Sequence, residues 1–473
     1  MSTQAPRLLI AHADVVVTMD PGRREIQDGS VLVCGDAIEA VGTHAEIQSW
    51  IAADRPARDP QETIDARGCV VLPGLINCHH HLFQSLTRAV GTGRRLALFD
   101  WLRLLYPIWA ELDPEAVYVS AKTALAELVR SGATTVADHL YLFPNGARLD
   151  DEIHAAREIG VRFHATRGCM SLGESRGGLP PDRIVEDEPA ILSDCRRVIE
   201  TFHDLAPRSM LRIGLAPCSP FSVTPELMRD AARLARSFRG VGLHTHLAET
   251  LDESRFCLDR FGLHPLDLAD SVEWLGADCW FAHVVHVESS GIDRLAHARA
   301  GVCHCPSSNM ILGSGIAPVR RMLDRQVNVA LGVDGSASND SGHLLAEARQ
   351  AMLLQRVAPH EQEAASAGLS AREALELATL GGARVLGRDD IGSLETGKAA
   401  DLVAFRVDDL EHAGAQSDLV SALITCAPAH AWLSVINGRI VVDHGALVTA
   451  ELAPLIERHN QVSRRMLERA ARA

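Results

Sequence analysis

Histidines and carboxylates, the side chains that bind metal ions and transfer protons, follow several of the apolar runs in this sequence. His79 and His81 follow one run, and Asp334 ends another just before a glycine. Other residues in the same setting are His80, His244, His246, Glu249, His283 and His286. Three imidazoles and one carboxylate that meet in space would bind a divalent cation and leave a position for water.

Each of these residues also has an ordinary structural explanation. An HxH pair on a strand is often a hydrogen-bonded core pair, and an Asp before a Gly often forms a turn. Residues i and i+2 of a strand point to the same side, however, so His79 and His81 can face one centre. The repetition of such residues at several strand ends favours a metal site over independent core positions.

The elements that must position these residues are eight apolar runs separated by helix-forming segments. Eight βα units over about 300 residues predict a (β/α)8 TIM-like barrel, whose functional residues lie at the carboxyl ends of the strands. A doubly wound open sheet is the alternative, but the sequence has neither a dinucleotide GxGxxG motif nor a P-loop. The strands are predicted near residues 69–77, 134–140, 162–168, 211–217, 241–249, 280–287, 301–306 and 327–335.

Both ends of the chain have a different texture, with short segments that alternate apolar and polar residues. We therefore predict a small β-sandwich domain built from both termini, beside the α/β barrel. Its two parts are predicted at 1–65 and 391–449, the metal-dependent barrel at 66–390, and a C-terminal helix at 450–473.

The composition is typical of a globular protein with a large core: 473 residues, of which 47% are hydrophobic and 23% charged. A net charge of −15 argues against nucleic-acid binding. No run approaches the ~18 apolar residues of a membrane span, so we expect no membrane association. His12 and Asp14 interrupt any apolar leader, and the eleven cysteines show no regular framework; both observations predict a cytoplasmic protein with reduced thiols.

The segments around the histidines resemble the signature strands of the amidohydrolase superfamily, in particular its cytosine deaminase-like and s-triazine hydrolase-like branch. The metal ligands that this resemblance implies are His79, His81, His246 and Asp334. His246 is implied rather than His244, because the HxxE pattern of the branch then places the catalytic glutamate at Glu249. The resemblance covers essentially the whole chain and is carried by PGLINCHHH, LHTHLAET, WFAHVVHV, LGVDGSASND and IGSLETGKAADLVAF.

The number of metal ions follows from the lysines. Many superfamily members bridge two metals with a carboxylated lysine on a barrel strand, but this chain has only Lys122, in a helical segment, and Lys398, near the C-terminus. We expect one ion per subunit, with Zn2+ favoured and Fe2+ as the alternative. By resemblance, Glu249 transfers protons, His283 orients the water or polarises the substrate, and Asp334 also accepts a proton from that water.

A planar substrate ring is suggested by an aromatic segment after the first barrel strand. Four of the chain's few aromatic residues lie within eleven positions: Phe99, Trp101, Tyr106 and Trp109. They could stack on a substrate ring, or they could form the bulky face of an amphipathic helix that packs on the barrel. Gln84, just beyond the histidines, has a donor and an acceptor that suit the edge of a base.

Loop segments suggest a finer resemblance, to the 8-oxoguanine deaminases of this branch. It implies hydrolytic deamination of a purine base, most simply 8-oxoguanine to uric acid and ammonia. The alternatives are an s-triazine amino- or chlorohydrolase and a deaminase of guanine or isocytosine. The loops that carry this resemblance include HHHLFQSLTRA, TRGCMSLGESRGGLPPD, LAPCSPFSVTPE and HCPSSNM.

A pocket selective for 8-oxoguanine needs an acceptor opposite the ring N7–H, because an unpaired buried donor is costly. Arg167, Cys218 and Asn339 are the candidates that the resembling loops supply for this edge. Related enzymes also imply a homo-oligomer, a dimer or larger. A catalytically silent scaffold would be expected to have lost ligands or Glu249, yet all these positions hold chemically competent residues.

Overall fold

The structure is a computed structural model that describes residues 5–54, 57–93, 95–358 and 368–472. The parts of the predicted domains at residues 1–4, 55–56, 94, 359–367 and 473 lie outside the described residues. The described strands form two sheets. They are β1 (Arg7–Val17), β2 (Glu25–Cys34), β3 (Ala37–Thr43), β4 (Glu62–Asp65), β5 (Cys69–Pro73), β6 (Leu75–Asn77), β7 (Ala133–Leu140), β8 (Arg162–Cys169), β9 (Leu211–Pro217), β10 (Gly242–Leu247), β11 (Cys279–His283), β12 (Gly301–His304), β13 (Asn328–Leu331), β14 (Leu402–Arg406), β15 (Leu433–Ile436), β16 (Arg439–Asp443) and β17 (Ala446–Leu447).

Helices connect most of the strands of the sheet formed by β6 to β13. They are α1 (His44–Ala52), α2 (Leu98–Trp109), α3 (Pro114–Arg130), α4 (Leu149–Ile159), α5 (Glu188–Phe202), α6 (Pro225–Arg236), α7 (Leu251–Phe261), α8 (Pro265–Ser271), α9 (Ser289–Ala298), α10 (Pro306–Ile311), α11 (Val319–Asp324), α12 (Leu344–Val357), α13 (Ala371–Glu376), α14 (Gly382–Val385), α15 (Leu419–Thr425) and α16 (Leu452–Ala470). No described helix combines the length and the apolar character needed to cross a membrane.

Strands β6 to β13 form the predicted barrel, in which neighbours in the chain are neighbours in the sheet and run parallel. Two backbone hydrogen bonds join its first and last segments. The Cys78 N–H donates to Leu331 O at 3.0 Å, and the Asp334 N–H donates to His79 O at 3.1 Å. The strands are almost entirely buried, as expected for parallel strands between a core and a helical layer. The (β/α)8 prediction is confirmed.

The other sheet combines strands from both ends of the chain, as predicted. Its strand order is β17-β16-β15-β14-β5-β1-β2-β3, with β4 also paired to β1. Strand β14 pairs antiparallel with β5 and so joins the C-terminal strands to the N-terminal ones. The nine strands form one continuous mixed sheet beside the barrel.

The apolar run predicted as a single barrel strand near 69–77 is divided between the two sheets. Strand β5 belongs to the mixed sheet and only β6 belongs to the barrel. The chain passes between them at Gly74, where an added Cβ would lie 2.0 Å from Thr134 Oγ1. Only glycine permits this close approach, and an unbroken apolar run does not reveal that its two halves pair with different partners.

A buried ion pair fixes the barrel to the mixed sheet. Arg162 on β8 donates to both carboxylate oxygens of Asp401, at 2.7 and 2.9 Å, and both side chains are fully buried or nearly so. The remaining guanidinium nitrogen donates to two carbonyls, including Ser209 O at 2.8 Å. Because these charges have no access to water, each depends on the other.

Asp401→Asn is expected to lower the free energy of unfolding by about 3–5 kcal/mol, because it leaves a buried guanidinium without its counter-charge. Chemical denaturation measures this loss. The control is Asp293→Asn, which breaks an exposed ion pair with Arg325 and should cost less than about 1 kcal/mol. Equal losses in the two variants would contradict the structural role assigned to Asp401.

Candidate metal centre and active site

The predicted metal-binding residues converge at the carboxyl end of the barrel. His79 and His81 follow β6, His246 lies near the end of β10, and Asp334 follows β13. All four side chains are buried, with His246 the most exposed at 8%. Residues more than 160 positions apart in the chain thus share one small volume, because their strands are neighbours or face each other across the barrel.

The distances between the donor atoms fit a single small cation. His81 Nε2 lies 3.0 Å from His246 Nε2, and Asp334 Oδ1 lies 3.2 Å from His79 Nε2 and 3.4 Å from His81 Nε2. Ligands at about 2.0–2.1 Å from a tetrahedral zinc ion lie about 3.4 Å from one another. These three pairs of donor atoms are therefore spaced like ligands of one ion.

Hydrogen bonds to backbone carbonyls fix the protonation of two of these rings. His81 Nδ1 donates to His139 O at 2.7 Å, and His246 Nδ1 donates to Cys218 O at 2.6 Å. Since a neutral imidazole has one proton, each Nε2 has a free lone pair. Two lone pairs that face each other at 3.0 Å in a buried site repel, unless a cation lies between them.

The third ring is fixed through a histidine whose role the sequence did not reveal. His244 Nδ1 donates a hydrogen bond to Trp280 O at 2.9 Å. Its Nε2 therefore has no proton and accepts a hydrogen bond from His79 Nδ1 at 2.7 Å. His79 Nε2 is then left with a lone pair and has no hydrogen-bond partner. The HxH alternation on β10 was the available signal, since it places His244 and His246 on the same side of the strand.

Burial also keeps the histidines neutral, as metal binding requires. Burial lowers the pKa values of His79 and His81 below the usual value for histidine, and it lowers the pKa of His246 to about 3. The buried donors form two overlapping sets, one of His79, His246, His283 and Asp334 and one of His79, His81, His139 and His246. Because His139 Nε2 donates to Ala216 O at 2.8 Å, only its Nδ1 could take part.

Asp334 is held as a carboxylate by a donor on α10 and by donors in its own segment after β13. Ser308 Oγ donates to its Oδ2 at 2.6 Å, and the Gly335 N–H donates to its Oδ1 at 2.7 Å. Ser338 Oγ lies 3.3 Å from the same Oδ2. Asp334 itself has a φ of 61°, a left-handed conformation that non-glycine residues seldom adopt. Strain of this kind persists where the surroundings impose it, which is common at functional sites.

His283 lies between the two carboxyl groups of the site. Its Nε2 is 3.7 Å from Glu249 Oε2 and 3.8 Å from Asp334 Oδ2, and its Nδ1 contacts Asn309 Oδ1 at 2.8 Å. Burial acts to lower the pKa of His283, but the charges of Glu249 and Asp334 outweigh it and raise the pKa. The Nε2 atom of His283 therefore lies near both carboxyl groups, beyond hydrogen-bond distance of either.

Glu249 is buried on the loop between β10 and α7, where burial raises its pKa to about 7. Its backbone is held by Glu253, which accepts from the Ala248 and Glu249 N–H groups at 2.9 and 2.8 Å. Ser314 Oγ donates to Glu249 Oε1 at 3.4 Å. A carboxyl group with a pKa near neutrality can both accept and donate a proton, which general acid–base catalysis needs.

A cavity adjoins these groups, with about 380 Å3 of empty space that includes its opening to solvent. Four residues predicted to contact substrate line it: Gln84, Trp101, Tyr106 and Cys218. The aromatic segment is the helix α2, whose buried face supplies Trp101 and Tyr106, so it is at once an amphipathic helix and a wall of the cavity. The lining residues that sequence reasoning missed are Leu98, Leu102, Tyr141, Phe221, Leu312 and Ser338.

The structure places Arg167 and Asn339 elsewhere. Arg167 is held by Glu186 and Asp194, to which it donates at 2.7 and 2.8 Å, and neither it nor Asn339 lines the cavity. Asn339 Nδ2 donates to Val333 O at 2.7 Å and to Glu347 at 2.9 Å. Both side chains therefore hold neighbouring segments of the protein in place. The resemblance of the loops could not distinguish a residue with this role from one that contacts the substrate.

His244→Phe is expected to weaken zinc binding by about 10–100-fold, because it removes the acceptor that orients His79. The phenyl ring preserves the packing of His244 on Trp280, whose rings stack at 4.7 Å. Zinc affinity is measured by competition with a chelator, with thermal unfolding of the zinc-free protein as the check on folding. His304→Phe, a change of another buried barrel histidine, should leave the affinity within about threefold of the original value; equal losses would contradict the role of His244.

Comparison with known proteins extends these observations. The chain matches the model of the amidohydrolase family over residues 70–450. It is 47% identical to the 8-oxoguanine deaminase of Pseudomonas aeruginosa, over 91% of this chain and 93% of that protein. It is 36% identical to the hydroxydechloroatrazine ethylaminohydrolase of Pseudomonas sp. strain ADP, over 86% of this chain and 85% of that protein.

Solved structures with the same architecture include two that contain zinc. The zinc complex of atrazine chlorohydrolase from Arthrobacter aurescens TC1 has a TM-score of 0.90 and 34% identity, and the match covers 96% of this chain and 100% of that one. A zinc-bound adenosine deaminase from Xanthomonas campestris has a TM-score of 0.87 and 26% identity, with 98% of each chain covered.

Proposed function

Because the chain belongs to the amidohydrolase family, we propose that it is a zinc-dependent aminohydrolase that converts 8-oxoguanine to uric acid and ammonia. The observation that carries the choice of substrate is the 47% identity to an 8-oxoguanine deaminase over 91% of the chain. The site supports the chemistry, since neutral imidazoles, a carboxylate and a carboxyl group of near-neutral pKa surround one cavity.

The proposed ligands of the ion are His79, His81, His246 and Asp334. Their lone pairs and charge suit a divalent cation, and zinc is the ion in both similar structures described above. A divalent cation bound there supplies the nucleophile by lowering the pKa of a water molecule from 15.7 to about 7. Lys122 pairs with Glu158, and Lys398 contacts Ser393 and Glu395, so neither lysine reaches the cluster, which supports a single ion.

Glu249 and His283 are the groups proposed to move and direct protons. Glu249 in its protonated form can donate to a ring nitrogen of the substrate, which makes the attacked carbon more electrophilic. It can then take up a proton that the attacking water releases and pass it to the departing amine, and the second proton of the water restores Glu249. His283, between Glu249 and Asp334, orients the water or polarises the substrate. Both residues line the cavity beside the proposed ligands.

Substrate recognition is proposed to use two buried polar atoms that have no partner. Gln84 Oε1 and the Tyr106 hydroxyl both belong to residues of the cavity wall, and neither forms a hydrogen bond. Buried polar atoms without partners are costly, so a base edge that pairs with them would bind favourably. Trp101 and Phe221 add apolar faces for a planar ring, and Cys218 lines the same wall.

The test is to incubate zinc-loaded protein with 8-oxoguanine and to follow both ammonia and uric acid. Guanine, isocytosine, a hydroxylated s-triazine and a chlorinated s-triazine are assayed in parallel. Preference for 8-oxoguanine by kcat/KM supports the proposal, and no ammonia from 8-oxoguanine would refute it. An s-triazine amino- or chlorohydrolase is the second candidate, favoured by the likeness to the ethylaminohydrolase and to the chlorohydrolase structure; release of amine or halide from the triazine would identify it.

Gln84→Leu is expected to lower kcat/KM for 8-oxoguanine by about 10–100-fold, because the substrate then buries a donor without an acceptor. Leucine keeps the volume of the side chain. Zinc content should not change, since Gln84 is not among the proposed ligands. Unchanged steady-state kinetics would remove Gln84 from the recognition site.

The remaining expectations concern assembly and location. A homo-oligomer, a dimer or larger, is supported by exposed apolar side chains such as Leu251 and Leu258 on α7, and light scattering on the purified protein measures its mass. A cytoplasmic location is supported by the eleven cysteines, all within the described residues and none in a disulfide.

A further inference from the structure

A second cavity lies at the opposite end of the barrel, where β9, β10 and β11 begin. It encloses about 1100 Å3, part of it open to solvent, and the segment that follows α14 completes its wall. Residues at this end of a TIM barrel ordinarily serve stability, and none of the proposed catalytic residues reaches it. Its wall nevertheless contains several titratable or charged side chains: His164, Arg212, Arg236, Asp278 and Arg388.

One of the three arginines has no carboxylate partner. Arg236 donates to Asp278 at 2.7 Å, and Arg388 donates to both oxygens of Asp390, at 2.7 and 2.9 Å. Arg212 donates through Nε to Ser209 Oγ at 2.8 Å. Among the described residues, no carboxylate forms an ion pair with Arg212, so its two terminal nitrogens are free to bind a ligand.

The pKa values of two side chains in the wall are shifted by the positive charges of the arginines around this cavity. Burial, together with the charges of Arg388 and Arg212, lowers the pKa of His164 well below its usual range. Burial and Arg388 also lower the pKa of Arg212, although Asp390 and Asp204 oppose that shift. Burial disfavours a charge of either sign, whereas the part of these shifts that comes from the arginine charges favours a negative one.

The rest of the wall is apolar and indicates what else the ligand carries. Seven apolar side chains contribute: Ile213, Phe238, Val241, Ala277, Trp280, Val385 and Leu386. Trp280 packs closely against the strand beside it, because a Cβ on Gly242 would lie 2.7 Å from its Cζ3. An ion with no apolar part would leave most of this wall without a partner.

We propose that this cavity is a binding site for an organic oxyanion, a phosphate or carboxylate group attached to a small apolar or ring-containing body. The planar fork of Arg212 pairs with two oxygens of such a group, as arginine does with phosphates and carboxylates. The apolar wall receives the body of the ligand. The site shares no proposed ligand with the metal centre, although Trp280 of its wall also accepts the hydrogen bond of His244.

The experiment is calorimetric titration of zinc-loaded protein with phenyl phosphate and, separately, with inorganic phosphate. We expect saturable one-to-one binding of phenyl phosphate that is tighter than that of inorganic phosphate. Arg212→Gln should weaken phenyl phosphate binding by about 10-fold or more, because a charge-assisted pair of hydrogen bonds is lost. Arg239→Gln is the matched control, since it removes the same charge from an exposed neighbour that does not line the cavity, and binding should stay within about twofold.

Several results would overturn the proposal. One is the absence of saturable binding to the unmodified protein, and another is equal weakening in the two variants. Unchanged binding in Arg212→Gln would place the anion elsewhere, including at the metal. If Arg212→Gln does not fold, Arg212→Lys gives the same comparison, because it keeps the charge and loses the planar fork. Tighter binding of inorganic phosphate than of phenyl phosphate would likewise contradict the organic ligand.

Discussion

Replacing Glu249 with glutamine is expected to lower kcat for deamination by about 10²–10⁴-fold, the range that a general acid–base group contributes. Glutamine has the same shape and can still contact Ser314, but it cannot take up and release a proton. Burial raises the pKa of Glu249 to about 7, so the native side chain can serve both halves of the transfer near neutrality. Steady-state kinetics with 8-oxoguanine measures the loss.

The Glu249→Gln variant is informative because its zinc content and its folding should not be impaired. Glu249 is not among the proposed ligands, so zinc content per subunit should equal that of the unmodified protein, and the melting temperature should fall little or rise. A variant with full zinc content and an unchanged kcat would show that another group carries the proton.

Asp334→Asn is the second change with a large expected effect, because Asp334 is the one carboxylate among the proposed ligands. The amide loses the negative charge that offsets the cation, and its NH2 group would face the donors Ser308 and Ser338 in place of an acceptor. We expect zinc affinity to fall by about 100-fold or more, since even supporting residues outside the ligand set contribute 10–100-fold. Activity should fall with it.

Metal analysis of the purified protein, followed by activity at saturating zinc, separates the two losses. If excess zinc restores occupancy but not turnover, Asp334 also acts on the water, as the resemblance implied. Asp252→Asn, at a half-buried position in the first turn of α7 that pairs with Arg255, is the matched control and should retain both properties. Normal zinc content together with a normal rate in Asp334→Asn would exclude it as a ligand.

Much of this site was accessible from the order of residue types along the chain. The alternation of His79 and His81 and the Asp–Gly at 334–335 each identify a position relative to the end of a strand, whereas His246 and Glu249 were implied by the resemblance. Period-two geometry makes such local inferences safe, because it depends on neighbouring residues only. The barrel was predictable for the same reason, since each βα unit has its own local pattern.

The tertiary structure decided what depends on partners far apart in the chain. Its hydrogen bonds show that His244 orients His79, that Ser308 holds Asp334 and that Arg167 is held by Glu186 and Asp194 away from the cavity. Sequence determined which residues could bind a metal and transfer protons, whereas the closed barrel determined which of them meet, because hydrogen-bond partners across a barrel leave no periodic trace in the chain.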